Sequence, residues 1–278
     1  MTVVSALLRQ RHNFYRVLLI VEVLALIGLR PLQQAPQLVS VVYLLIGGVP
    51  VLLDSPLLPQ NRLSPQWRNA VIPQTDHHHL QRAIRRRRWL QYGWLGAAGV
   101  EVLWQLSLLL LPVVAVQLSV LHVAVWLALM LYVLWTLMGA LAEEPVFNGA
   151  LLMGAAAGYL LIGFTGGIVL NSLLVLDPAA FSLSGTAHNN LPAAIAYAPE
   201  MLGAAFGSLT TLGSSVLNEK SLTSVSASVG ITVVGQLYVA ILIAGVLGKP
   251  RHIADVRKAA HTSRRSQAPS PKLRRIRR

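Results

Sequence analysis

FGSLTTLGSSV, Phe206 to Val216, decides how the rest of the chain is read. It is short, rich in hydroxyls and broken by glycine, with Gly203 just before it and Gly207 and Gly213 inside it. Such a segment does not cross a membrane on its own. Yet it lies between two long apolar segments, Gly149 to Leu176 and Leu222 to Leu247. Irregular backbone persists at membrane depth only where protein buries it or where it lines a wet cavity. A short polar segment dipping between two spans meets that condition as a pore loop. An external loop that happens to carry Ser and Thr is the other reading.

Composition sets the class. The 278 residues are 54% hydrophobic and 12% charged, with mean hydropathy +0.59, and several long apolar runs place the chain among helical membrane proteins. Cysteine is absent, which excludes disulfides, thiolate catalysis and cysteine metal sites. No nucleophile–base pair and no metal or cofactor motif is present, so an enzyme is not expected. His77-His78-His79 lacks companion ligands in a recognisable motif and reads as a solvated tract.

Six spans are expected. The first is a somewhat short run that ends near Leu29 and contains Glu22; the second is Leu38 to Leu53, kinked by Gly47, Gly48 and Pro50. A basic loop, 55–88, follows and ends in Arg85-Arg86-Arg87-Arg88, with a short surface helix from Asp76. The third span is Trp89 to about Leu111 and the fourth about Val116 to Leu141, closed by Glu143-Glu144-Pro145. None of the four carries the regular arginine series of a voltage sensor. Glu101 and His122 lie inside the third and fourth spans, where an interhelical hydrogen bond or a functional role explains an ionisable group. Small residues of the fifth span, Gly149 to Leu176, suit close helix packing. Ala198-Pro199-Glu200 reads as a helix start, because proline fits the first turn and an acid complements the helix dipole. That helix ends at about Thr210, with its carbonyl end favouring a cation. The sixth span, Ser221 to Leu247, begins hydroxyl-rich, for a wet cavity or for close packing. The domains are therefore 1–144, four helices; 145–248, the pore-loop unit; and 249–278, a basic tail that is disordered unless bound.

Charge fixes the orientation. With the N-terminus inside and six spans, only Arg30 and Lys220 of the 23 Lys and Arg residues fall outside, in keeping with the positive-inside rule. Both termini are then cytoplasmic and the Phe206 stretch enters from the outer side of a plasma or inner membrane. The net charge of +13 is explained without nucleic acid. Arg85 to Arg88 and the tail either contact anionic lipid head groups or stay solvated.

Phe206-Gly207-Ser208-Leu209-Thr210-Thr211-Leu212-Gly213 resembles the end of the pore helix and the start of the selectivity filter in bacterial potassium channels, whose pattern is F-x-T-L-T-T-x-G-Y-G-D. Gly235 to Ala244 resembles the inner helix of that family. Tyr159 to Gly163 and Asp177 to Ser182 resemble its outer helix and turret. The likeness spans roughly residues 145–250. It implies an all-α membrane protein with a re-entrant pore helix and filter loop between the fifth and sixth spans, assembled as a homotetramer. It places the filter at Thr210, Thr211, Leu212, Gly213, Ser214 and Ser215, with Thr210 and Ser208 supporting it from behind and Val216 at the outer mouth. Glu219 would supply an outer acidic ring in place of the family's aspartate. The pattern departs at Gly213-Ser214-Ser215-Val216, where the family has Gly-Tyr-Gly-Asp. Ser215 would have to take a left-handed glycine conformation at a cost of about 1–2 kcal/mol, and Ser214 is too small to replace the tyrosine. A degenerate filter follows. The function implied is a channel for monovalent cations, potassium foremost, with loosened selectivity. The alternative is a non-conducting, channel-like subunit with a structural or regulatory role. A secondary transporter would show an internal repeat, which the sequence lacks.

Overall fold

The computed structural model describes residues 3–53, 77–142, 149–183 and 193–247. The expected basic loop up to residue 76, the Glu143-Glu144-Pro145 stretch and the tail 249–278 lie outside the described residues. The described chain is helical apart from short connections and one isolated antiparallel bridge, Phe181 to Leu217.

The helices in order are α1 (Val3–Ile27), α2 (Leu29–Gln34), α3 (Leu38–Leu53), α4 (His77–Leu110), α5 (Pro112–Ala142), α6 (Gly149–Leu176), α7 (Ala193–Ala196), α8 (Ala198–Leu209) and α9 (Leu222–Leu247). Among the described residues, four apolar segments are long enough to cross a bilayer: Trp89–Leu110, Gln117–Ala142, Gly149–Leu176 and Leu222–Gly245. They are consistent with a multi-pass membrane protein. The apolar segment Leu38–Val51 is shorter.

Two connections differ from the sequence expectation. The sequence implies a short loop joining the first two spans; most of that stretch is instead a short helix, α2. The expected surface helix near Asp76 does not stop: α4 runs unbroken from His77 to Leu110, so the last part of the expected loop, Arg85 to Arg88 included, has helical backbone. Gln and Arg are good helix formers and no Pro or Gly interrupts residues 77–92.

α6 is the central helix. It is buried on nearly all sides, as a helix without a polar face must be. Its glycines set how closely its neighbours approach: Tyr15 of α1 lies against Gly154, Tyr238 of α9 against Gly158, and Phe206 of α8 against Gly163. One core, with Tyr15, Tyr43, Trp126, Met130 and Phe164, fills the space between α6 and the N-terminal helices. A second, with Met201, Leu209, Ile231 and Tyr238, lies where α6, α8 and α9 meet. Phe206 packs against both.

Candidate functional site

α8 is twelve residues, about 18 Å long at 1.5 Å per residue. It begins one residue before the expected Pro199 and ends one before Thr210, with Pro199 and Glu200 in its first turn. One side is buried through Met201, Leu202, Ala205, Ser208 and Leu209. Gly203 is exposed in the single chain.

The end of α8 is tied down with unusual completeness. A helix leaves its last four carbonyls without helical partners. Here the Phe206 carbonyl accepts from the Thr210 amide at 2.9 Å and its hydroxyl at 2.7 Å. Gly207 accepts from the Gly213 amide at 3.0 Å, and Ser208 from the Thr211 amide at 3.1 Å and the Thr232 hydroxyl at 2.7 Å. Leu209 accepts from the Tyr159 hydroxyl at 3.2 Å. Protein donors thus reach every carbonyl oxygen of the last helical turn, Phe206 to Leu209, while the residues that the resemblance makes a filter lie mostly in the loop beyond.

That loop is Thr210 to Ser221. Thr210, Thr211, Leu212, Gly213, Ser215 and Glu219 are exposed in the single chain, and Ser214 and Val216 are half-buried. Thr211 has φ 63° and Gly213 φ 75°. Among the described residues Thr211 is the one non-glycine at positive φ, so Ser215 does not take the left-handed conformation considered for it. The strain falls four residues earlier, where the Thr211 hydroxyl donates to the Thr210 carbonyl at 2.6 Å. Ser208 is buried; its hydroxyl donates to the Ala204 carbonyl and pairs with Ser228 of α9 at 2.9 Å.

The return half of the loop is pinned to the segment after α6. The Ser182 amide donates to Val216 at 2.8 Å and the Asn218 amide to Ala180 at 3.1 Å. The Asn218 side chain donates to Ala179 at 3.2 Å and accepts from the Lys220 amide at 3.0 Å. At the start of α9, the Thr223 hydroxyl donates to Asp177 at 2.9 Å and that of Ser224 to Asn218 at 2.6 Å. The hydroxyl-rich start of α9 is therefore largely explained by anchoring. Ser224, Ser228 and Thr232 hold the loop and α8, while Ser226 is exposed. Sequence reasoning did not single out Asn218. Its signal was an Asn two residues before an amide donor, the pattern of a side-chain-closed turn.

The described residues define a helical chain, consistent with a multi-pass membrane protein, with a short helix and a hydrogen-bonded hydroxyl loop between two long apolar helices. No protein family, curated protein or solved structure matches this chain.

Proposed function

We propose that the chain is the subunit of a tetrameric ion channel in which four α8 loops surround one axis and pass monovalent cations, potassium foremost. On this reading α1 and α3 are the first two of six spans, both termini are cytoplasmic, and α8 re-enters from the outer face of a plasma or inner membrane. The observation that carries it is the α6–α8–α9 unit. Its short middle helix has its terminal carbonyls capped by protein, and it presents Thr211, Leu212 and Gly213 at an exposed surface. The carbonyls of Thr211 through Ser214 would line the axis, with Ser208 behind them and Glu219 at the outer mouth. α9 supplies the subunit contact: Val225, Val229, Val233 and Leu237 form an exposed apolar row at helical spacing. Arg85 to Arg88 and the basic tail would meet anionic head groups on the inner leaflet.

A second reading, a non-conducting channel-like subunit, draws on Leu212. Its side chain is 85% exposed in the single chain, and four leucines around one axis would close it with an apolar plug. Flux into liposomes carrying the purified protein separates the two, with potassium, sodium and chloride tested separately. Cation flux without chloride flux is the expected result. A stable tetramer that passes none of the three ions refutes the channel and leaves the plugged subunit.

A further inference from the structure

Glu101 on α4 and His122 on α5 are both buried, at 4% and 7% exposure. They meet each other: His122 Nε2 lies 2.6 Å from Glu101 Oε2. The carboxylate is otherwise well bonded. Trp126 Nε1 donates to Oε2 at 3.1 Å and Gln105 Nε2 to Oε1 at 2.9 Å. The Trp104 ring stacks flat on the imidazole, with centroids 4.0 Å apart and planes 7° from parallel.

Two features turn this pair into more than a structural hydrogen bond. The first is access. A cavity of about 30 Å³ reaches the imidazole between the α2–α3 turn, α5, α6 and the first residue of α8, with Gln37, Ser40, Asn171 and Ala198 among its walls. At 10–15 Å³ per water that is room for roughly two molecules. The second is a shared donor. Trp126 Nε1 lies 3.0 Å from His122 Nε2 as well as 3.1 Å from Glu101 Oε2. When Nε2 carries a proton it donates to the carboxylate, and the indole N–H must go to the carboxylate too. When the ring keeps its proton on Nδ1 alone, Nε2 becomes an acceptor that must part from the carboxylate, and the same indole N–H has this nitrogen as a second partner in reach. Proton loss also changes the charge: a neutral ion pair becomes one buried, uncompensated carboxylate, the costly arrangement inside a protein.

We propose that Glu101 and His122 form a proton-binding site, filled through this cavity, with Trp126 exchanging hydrogen-bond acceptors as the proton comes and goes. Among the described residues the surroundings hold few competing groups. α3 contributes Tyr43, α6 contributes the uncharged Asn171 and Ile168, and α7 contributes Ile195. Glu200 stands in the first turn of α8, and Arg30 of α2 is exposed. The proposal stands apart from the channel reading, because its test reads the indoles and not ion flux.

The test is ¹⁹F NMR of the full chain labelled with 5-fluorotryptophan, in lipid nanodiscs, titrated over the range in which histidines change charge, about pH 5 to 8. Two resonances, assigned by their loss in Trp104→Phe and Trp126→Phe, should move together through one transition. His122→Gln should abolish that movement, and Glu101→Gln should change the size of the Trp126 displacement, because its N–H then meets an amide oxygen in place of the carboxylate. Resonances of Trp104 and Trp126 that stay fixed in the unmutated protein overturn the site, without reliance on any variant folding. A transition that survives in folded His122→Gln equally overturns the assignment.

Discussion

Gly207→Ala and Gly203→Ala place the same methyl group in the same helix and should have opposite outcomes. Each exchange gains about 0.8–1 kcal/mol of helix propensity. At Gly203 the new Cβ meets nothing within 4 Å in the single chain, so the gain should survive. At Gly207 the Cβ would sit on the Gly213 carbonyl oxygen, closer than van der Waals contact permits, and 3.1 Å from its carbon. That neighbour is backbone and cannot rotate away as a side chain would. Relief requires the loop to lift, which breaks the Gly213 amide's 3.0 Å bond to the Gly207 carbonyl. A lost hydrogen bond costs about 1 kcal/mol and overpacking about 1–3 kcal/mol. The net is destabilisation by about 1–3 kcal/mol at Gly207 against a gain of up to about 1 kcal/mol at Gly203. Thermal denaturation in detergent, followed by size-exclusion fluorescence, gives the order directly. On the channel reading, Gly207→Ala should also lower cation flux at equal protein, because the displaced residues are those that line the axis. If Gly207→Ala melts no lower than Gly203→Ala, the folded-back loop is wrong and the account of how α8 ends fails with it.

Gly158→Ala should displace the Tyr238 ring and break its 2.8 Å bond to the Ala155 carbonyl, and Tyr238→Phe should remove part of that clash. A double-mutant cycle on thermal stability should therefore show coupling of about 0.5–3 kcal/mol, and strict additivity would contradict the contact. Glu22 is fully buried and neither carboxyl oxygen finds a hydrogen-bond partner among the described residues. Glu22→Met should raise stability, since an unpaired buried polar group costs about 1–3 kcal/mol; a lower melting temperature would show that the carboxyl has a partner. Glu101→Ala removes the acceptor shared by Gln105, His122 and Trp126 and should destabilise by about 1–3 kcal/mol, more than Glu101→Gln, which keeps an acceptor oxygen. Equal melting temperatures for the two would refute the bonding described. Combining Ser214→Tyr, Ser215→Gly and Val216→Asp should raise the potassium-to-sodium flux ratio, and no gain from intact tetramers would count against the proposed filter register.

Much of the architecture was legible because it depends on patterns that a sequence displays directly. The length and apolarity of α6 and α9, and the Ala198-Pro199-Glu200 start of α8, needed no tertiary knowledge. The glycine-rich surface of α6 announced close packing, although not which partner each glycine would admit. What escaped the sequence depended on relations between distant residues. Thr211 adopts the left-handed conformation because the loop folds back to reach the Gly207 carbonyl, and no local rule favours a β-branched residue there. The Glu101–His122 contact joins two helices, and spacing along one helix cannot show it. A signal was nonetheless present. Leu111 is the single non-helical residue between α4 and α5. Glu101 precedes it and His122 follows it by about three turns each, which in a tight antiparallel hairpin puts them at one level.

The two cores are not independent, and the aromatic rings show where they join. His122 and Trp126 rings lie 6.4 Å apart, Trp126 and Tyr43 6.2 Å, Tyr43 and Phe164 6.4 Å, and Phe164 and Phe206 5.3 Å. The row runs from the buried Glu101–His122 pair, across α6, to the first residue of FGSLTTLGSSV. Contiguity of this kind is no proof of energetic coupling, which requires an element with two arrangements. Its consequence is mechanical. Edge-to-face pairs contribute about 0.5–1.5 kcal/mol each beyond the area they bury. Gly163 lets Phe206 come close enough to α6 to make the last of them. The position of α8 is therefore set from both sides: by Tyr159, Ser228 and Thr232 at its loop end, and by the N-terminal helices through Phe164 and Phe206. The N-terminal helices thus help to place the loop as well as to surround it.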